Sequence, residues 1–101
     1  GFLYAVGGHD GPHVRKSVEY YNPDAQKWVT VSDMSLARRN AGVAAVDGFL
    51  YVVGGDDGTI NLSSIEMYCF ETDQWSLLPS QMSVGRSYAG VVIIDKSLHF
   101  M

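Results

Sequence analysis

Gly48-Phe-Leu-Tyr-Val-Val-Gly-Gly-Asp-Asp-Gly58 is an apolar run that enters a glycine pair and leaves through an acidic turn. The phrase occurs twice, since Gly1-Phe-Leu-Tyr-Ala-Val-Gly-Gly-His-Asp-Gly11 differs from it at two positions. Gly7 to Gly54, Tyr21 to Tyr68 and Trp28 to Trp75 are each 47 residues apart, whereas Met34 to Met82, Arg38 to Arg86, Gly42 to Gly90 and Asp47 to Asp95 are 48 apart. One residue is therefore inserted between Trp75 and Met82, where the second copy reads Leu-Leu-Pro-Ser-Gln. A period of this length marks a repeat architecture, and the secondary structure inside one unit decides which.

One unit reads as four short strands: Asn40 to Val46, Phe49 to Gly54, Ser64 to Cys69 and Gln74 to Leu78. Val, Ile, Tyr, Phe and Trp crowd these runs, and Gly, Asp, Asn and Pro punctuate them. Asp47-Gly48 predicts a two-residue hairpin, because a type I′ turn needs positive φ at both positions. Asn22-Pro23-Asp24 and Glu71-Thr72-Asp73 predict the tight link into the Trp strand. No stretch sustains a 3.6-residue apolar period, which excludes the helical repeats. Leu50 to Val53 and Ala89 to Ile94 are nearly continuous in apolar residues, so both faces of those strands must be covered. A four-stranded sheet covered on both faces by copies of itself is the blade of a β-propeller. Tyr21, Trp28, Tyr68 and Trp75 are expected to fill the wedge between blades. The pairs Gly7-Gly8 and Gly54-Gly55 are expected to allow close approach and a sharp turn.

The totals bound the rest. At 101 residues and 47% hydrophobic, the chain has the size and composition of about one small globular domain. With 7 Lys plus Arg against 11 Asp plus Glu, it lacks the basic excess of a nucleic-acid binder or a polybasic membrane anchor, and neither partner is expected. One cysteine, Cys69, forms no intrachain disulfide; a reducing compartment, the cytoplasm, is expected. Cys69 reads as a packing residue with nothing nearby to lower its pKa.

Gly-Gly followed by Tyr and Trp at these spacings resembles the kelch motif across nearly the whole chain. Gly7 to Glu19, Ala37 to Val43 and Gly85 to Val91 are similar to the branch of the BTB-BACK-Kelch (kelch-like) family that includes the ring canal kelch protein and kelch-like proteins 2 and 3. The resemblance implies an all-β fold, a fragment of about two blades of a kelch β-propeller that has six in the family. Residues 1–32 read as a partial blade, 35–80 as a complete one and 81–101 as the start of the next. It also implies a non-enzymatic protein-binding module without cofactors: a substrate adaptor of cullin-3 ubiquitin ligases, reached through a BTB domain with no counterpart in these residues. Actin binding or crosslinking, with a cytoskeletal location, is the alternative.

Strand direction sorts the loops onto two faces. One collects Arg15, Lys16, Arg38, Arg39 and Arg86 against Asp10, Asp33, Asp56 and Asp57, a balance of +1; the other carries two lysines against five acids, −3. Arg38 and Arg86 stand four residues before Gly42 and Gly90, and a guanidinium fork suits the carboxylates of an acidic peptide. In the kelch-like family this rim docks substrate peptides. The matching positions are Arg38, Arg86, Ser17 and Ser64, with Asn40 and Tyr88 as neighbours. The competing structural reading pairs these arginines with Asp56, Asp57 or an acid of another blade. His9 and His13 read as loop histidines with no third metal ligand. Two and a bit blades are expected to leave apolar faces uncovered.

Overall fold

The computed structural model describes residues 1–94. Every regular element among them is a strand: β1 (Leu3–Val6), β2 (His9–Asp10), β3 (His13–Val14), β4 (Val18–Asn22), β5 (Lys27–Thr30), β6 (Gly42–Val46), β7 (Phe49–Val53), β8 (Ile65–Cys69) and β9 (Gln74–Leu77). β6-β7-β8-β9 form one antiparallel meander, the complete blade, and β1-β4-β5 form a three-stranded sheet in the same relation to the repeat. The fold is a propeller fragment of about two blades. The four strands of the complete blade match the sequence reading, with ends trimmed by one or two residues. Asn40 lies outside β6 because its φ is 57°, a left-handed conformation that no ladder accepts. Asp47 and Gly48, at φ 51° and 83°, make the expected hairpin.

Three features differ from expectation. The link from His9 to Lys16 holds a small hairpin, β2 against β3, where the second copy has only an isolated bridge from Asp56 to Asn61. Residues 91–94 join no ladder, and the hairpin partner that the repeat assigns to them, in 97–101, lies outside the described residues. The aromatic pairs also diverge. Tyr68 is buried against Trp75, Phe70 and Tyr4, but Trp28 beside Tyr21 is half exposed, since no sheet covers that side of β5 among the described residues.

The core lies between the sheets. Val18 of β4, Met34 of the linker and Val52 of β7 meet there, flanked by Tyr4, Val6, Val31 and Trp75. The linker 31–41 works as mortar, bonding to the first sheet through Val31 N–H to Val18 O and Met34 N–H to Lys16 O. It reaches the second through Ser32, whose N–H donates to Asp73 Oδ1 (3.0 Å) and whose carbonyl accepts from Trp75 Nε1 (2.8 Å). Leu78 and Met82 repeat the roles of Val31 and Met34, bonding to Ile65 O and Ser63 O. The inserted residue therefore falls within 79–81, in the slack between two anchored points.

Tyr68 ties this seam to the turn before β9: its hydroxyl donates to Asp73 Oδ1 at 2.7 Å. Burial, reinforced by that bond, pushes the phenol above its ordinary pKa, while the bond holds the Asp73 carboxyl below its own. Tyr68→Phe keeps the ring packing and removes the donor. It is expected to cost about 1 to 2 kcal/mol in urea unfolding, and a loss below a few tenths would show the bond to be incidental.

Candidate functional site

Each glycine pair receives the backbone of an arginine from the linker that follows. Gly8 N–H donates to Arg38 O (2.8 Å) and Gly55 N–H to Arg86 O (2.7 Å), while Arg38 N–H and Arg86 N–H return bonds to Arg15 O and Leu62 O. Backbones this close leave no room for a side chain. A Cβ on Gly54 would meet Arg86 O at 2.5 Å. The repeated phrase thus fixes where the two arginines leave the chain, and their side chains then diverge.

Arg38 points into the second sheet and is 1% exposed. Its Nε donates to Glu66 Oε2 at 3.0 Å, Nη1 to the carbonyls of Gly54 (2.8 Å) and Ser64 (3.1 Å), and Nη2 to Ser64 Oγ (2.7 Å). Glu66, fully buried, accepts a further bond on Oε1 from Ser35 N–H at 2.7 Å. Both charges are enclosed and satisfied. The expectation that Arg38 and Ser64 face a peptide is corrected for this reason: the structure joins them in a strut between blades. The sequence reading missed Glu66, although a signal exists. Glu66 shares a strand face with buried Tyr68, as Glu19 does with Tyr21, and a carboxylate in that place calls for a buried cation.

Ser17 and Arg86 are exposed, and Arg86 has no carboxylate partner among the described residues. Asn40 and Tyr88 do come together. Tyr88 N–H donates to Asn40 O at 2.9 Å, and the two residues share the left-handed conformation at φ 58° and 57°. A non-glycine residue is held there only when its surroundings over-determine it. Because both copies adopt the bend, it belongs to the repeat; the side chain it projects is what varies.

Around this bend lies a polar pocket of about 310 Å³, with Arg39, Asn40, Asp56, Thr59, Ser87 and Tyr88 among its walls. Arg39 Nε donates to Asp56 Oδ1 at 2.6 Å, and the two backbones exchange hydrogen bonds at 2.9 Å in each direction. Asp56 also accepts from Gly58 N–H at 3.0 Å. The Arg39 guanidinium foremost, with that amide, holds the Asp56 carboxyl below the usual carboxylate range. Asp57 is lowered by the amides of Ile60 and Thr59, which it accepts at 2.9 Å each, so the acidic turn is built to stay ionised. The terminal nitrogens of Arg39 make no hydrogen bond among the described residues, and Tyr88 stands 81% exposed at the pocket edge. The pocket can therefore present a guanidinium edge and an aromatic face to a ligand.

The other rim arginine, Arg15, is spent on Asp10 beside it. His9 and His13 lie on β2 and β3, with no group of three metal-ligating side chains among the described residues. Cys69 departs from its sequence reading. A hydrogen bond with the Thr72 side chain lowers the thiol pKa.

The glycine-pair docking, the four-strand meander and the 47-residue repeat converge on one motif, and the kelch motif matches residues 3–35 and 37–82. The chain belongs to the kelch-motif family. Kelch repeats mediate protein–protein interaction. Among curated proteins it is similar to the Kelch repeat and BTB domain-containing protein 2 of Cowpox virus (strain Brighton Red), with 33% identity over 45 residues. That match covers 45% of this chain and 8% of the viral protein. In kelch terms, the Arg38–Glu66 strut binds successive blades, and the Asn40/Tyr88 pocket opens between the linkers that enter them.

Proposed function

We propose that this kelch chain is part of a substrate-recognition propeller of a cullin-3 ubiquitin ligase adaptor, acting in the cytoplasm, and that the pocket between Arg39 and Tyr88 takes an acidic peptide of the substrate. The observation that carries the reading is the pairing of Tyr88, exposed on a strained backbone, with an arginine whose terminal nitrogens lack partners among the described residues. A carboxylate can lie along the Nη edge of Arg39 while the peptide backbone or an apolar side chain covers the Tyr88 ring. Arg38 contributes by holding the blade that presents Arg39, and does not meet the peptide.

The test measures the anisotropy of a fluorescein-labelled, glutamate-rich peptide titrated with the full-length protein. Arg39→Ala and Tyr88→Ala are each expected to weaken binding by about 1 to 2 kcal/mol, and only the Arg39 effect should shrink in high salt. Unchanged affinity in both variants, with the propeller folded, would sink the peptide reading. If the same variants instead lose cosedimentation with actin filaments, the actin-binding alternative takes its place.

A further inference from the structure

Arg39 and Asp56 are, among the described residues, the only charged side chains on the walls of the polar pocket. Their pairing is not a property of the repeat. The position 48 residues after Arg39 is Ser87, and the position 47 before Asp56 is His9, so this ion pair belongs to one blade alone within the chain. The backbone takes the same course without it, since the bridge from Asp56 to Asn61 has its counterpart in His9 against Val14. The pair therefore answers to something other than the fold. Asp56 is 8% exposed and is held from three sides, by Arg39 Nε, by Gly58 N–H and by the side chain of Asn40. Asp57, next in the turn, accepts from the amides of Thr59 and Ile60. The turn thus has three successive backbone N–H groups, a ready-made cradle for an anion, and all three are already given to its own carboxylates.

We infer that this pocket, taken as the acidic-peptide site proposed above, selects a singly charged carboxylate and rejects a phosphoryl group, and that Asp56 is the residue that sets the choice. A carboxylate brings one charge and two oxygens, which the two free Nη groups of Arg39 match edge on. A phosphoserine brings a charge of about −1.5 to −2 at pH 7. Its excess charge finds one guanidinium already balanced by Asp56, a second carboxylate beside it in Asp57, and no backbone amide of the turn left to donate. Both acids are held ionised by the same hydrogen bonds, so the repulsion persists at neutral pH. A part-closed pocket screens it less than open surface would. The site therefore reads carboxylates written into the substrate sequence, and phosphorylating a serine at the docking position does not create a ligand.

The experiment extends the anisotropy titration of the full-length protein. A glutamine scan of the glutamate-rich peptide first finds the glutamate that meets Arg39, as the one whose loss and Arg39→Ala are not additive. Phosphoserine at that position is expected to bind wild type about 10-fold more weakly than glutamate. Asp56→Asn keeps an oxygen for Arg39 Nε and Gly58 N–H but removes the charge. It should bring the two peptides to within about 2-fold of each other, mainly through a gain by the phosphopeptide. Asp57→Asn, on an exposed part of the turn, should narrow the gap by about 3-fold, so it and the wild-type comparison still decide the matter should Asp56→Asn unfold. A wild type that binds phosphoserine as tightly as glutamate overturns the inference, and so does a gap that neither variant narrows while the propeller stays folded. In both cases the glutamate peptide still binds and the proposed function stands. A glutamate peptide that fails to bind overturns both.

Discussion

Glu66→Ala is expected to unfold the seam between the two blades. The substitution strips Arg38 Nε and Ser35 N–H of their acceptors at once and leaves a guanidinium, 1% exposed, without a counter-ion. Breaking one side of a buried pair costs about 3 to 5 kcal/mol, because the desolvation of the surviving charge is no longer offset. A loss of that size is a large fraction of the stability of a typical domain. Glu66→Gln keeps an acceptor and the shape and should lose about half as much. The double variant Arg38→Met with Glu66→Leu removes both charges and should recover part of the loss, but not all, since the carbonyls of Gly54 and Ser64 lose their donors. Urea unfolding of the four proteins gives the coupling directly. A Glu66→Ala protein within 1 kcal/mol of wild type would mean that the strut is dispensable.

Gly54→Ala should cost about 2 to 4 kcal/mol, for two separate reasons. At φ 65° a Cβ is strained whatever surrounds it, and the added methyl would stand 2.5 Å from Arg86 O and 3.2 Å from Leu62 O. Both oxygens are backbone atoms fixed by the hydrogen bonds they accept, Arg86 O from Gly55 N–H and Leu62 O from Arg86 N–H, so neither can yield cheaply. Gly48→Ala provides the control. Gly48 also has positive φ, 83°, but a Cβ there meets nothing within 4 Å. Thermal unfolding should therefore place Gly48→Ala well above Gly54→Ala, and equal melting points would leave backbone strain as the whole effect, with no part for close approach.

These two expectations draw on different levels of information. The glycine pair announced itself in the sequence, because a local backbone requirement must be met by a local residue type, and its repetition after 47 residues fixed the four-stranded unit. Strand ends moved by a residue or two where a left-handed residue such as Asn40 interrupts the ladder, something neither propensity nor pattern encodes. Arg38 behaved differently. Arg38 and its neighbour Arg39, two arginines on one linker, read as a basic rim, and only the packing of β8 against that linker reveals that Glu66 takes the charge inside.

The division has one physical cause. Turns, strand alternation and the glycine approach depend on residues close in sequence or repeated at a fixed period, so the sequence by itself determined the all-β unit, the hairpin at Asp47-Gly48 and the stacking of one blade on the next. Whether a charged side chain meets solvent or another charge depends on which strand lies 28 positions away, as Glu66 does from Arg38. Tertiary structure alone decided that Arg38 and Ser64 hold the blades together, that Arg86 and Glu19 stand exposed, and that Arg39, Asn40 and Tyr88 share a pocket.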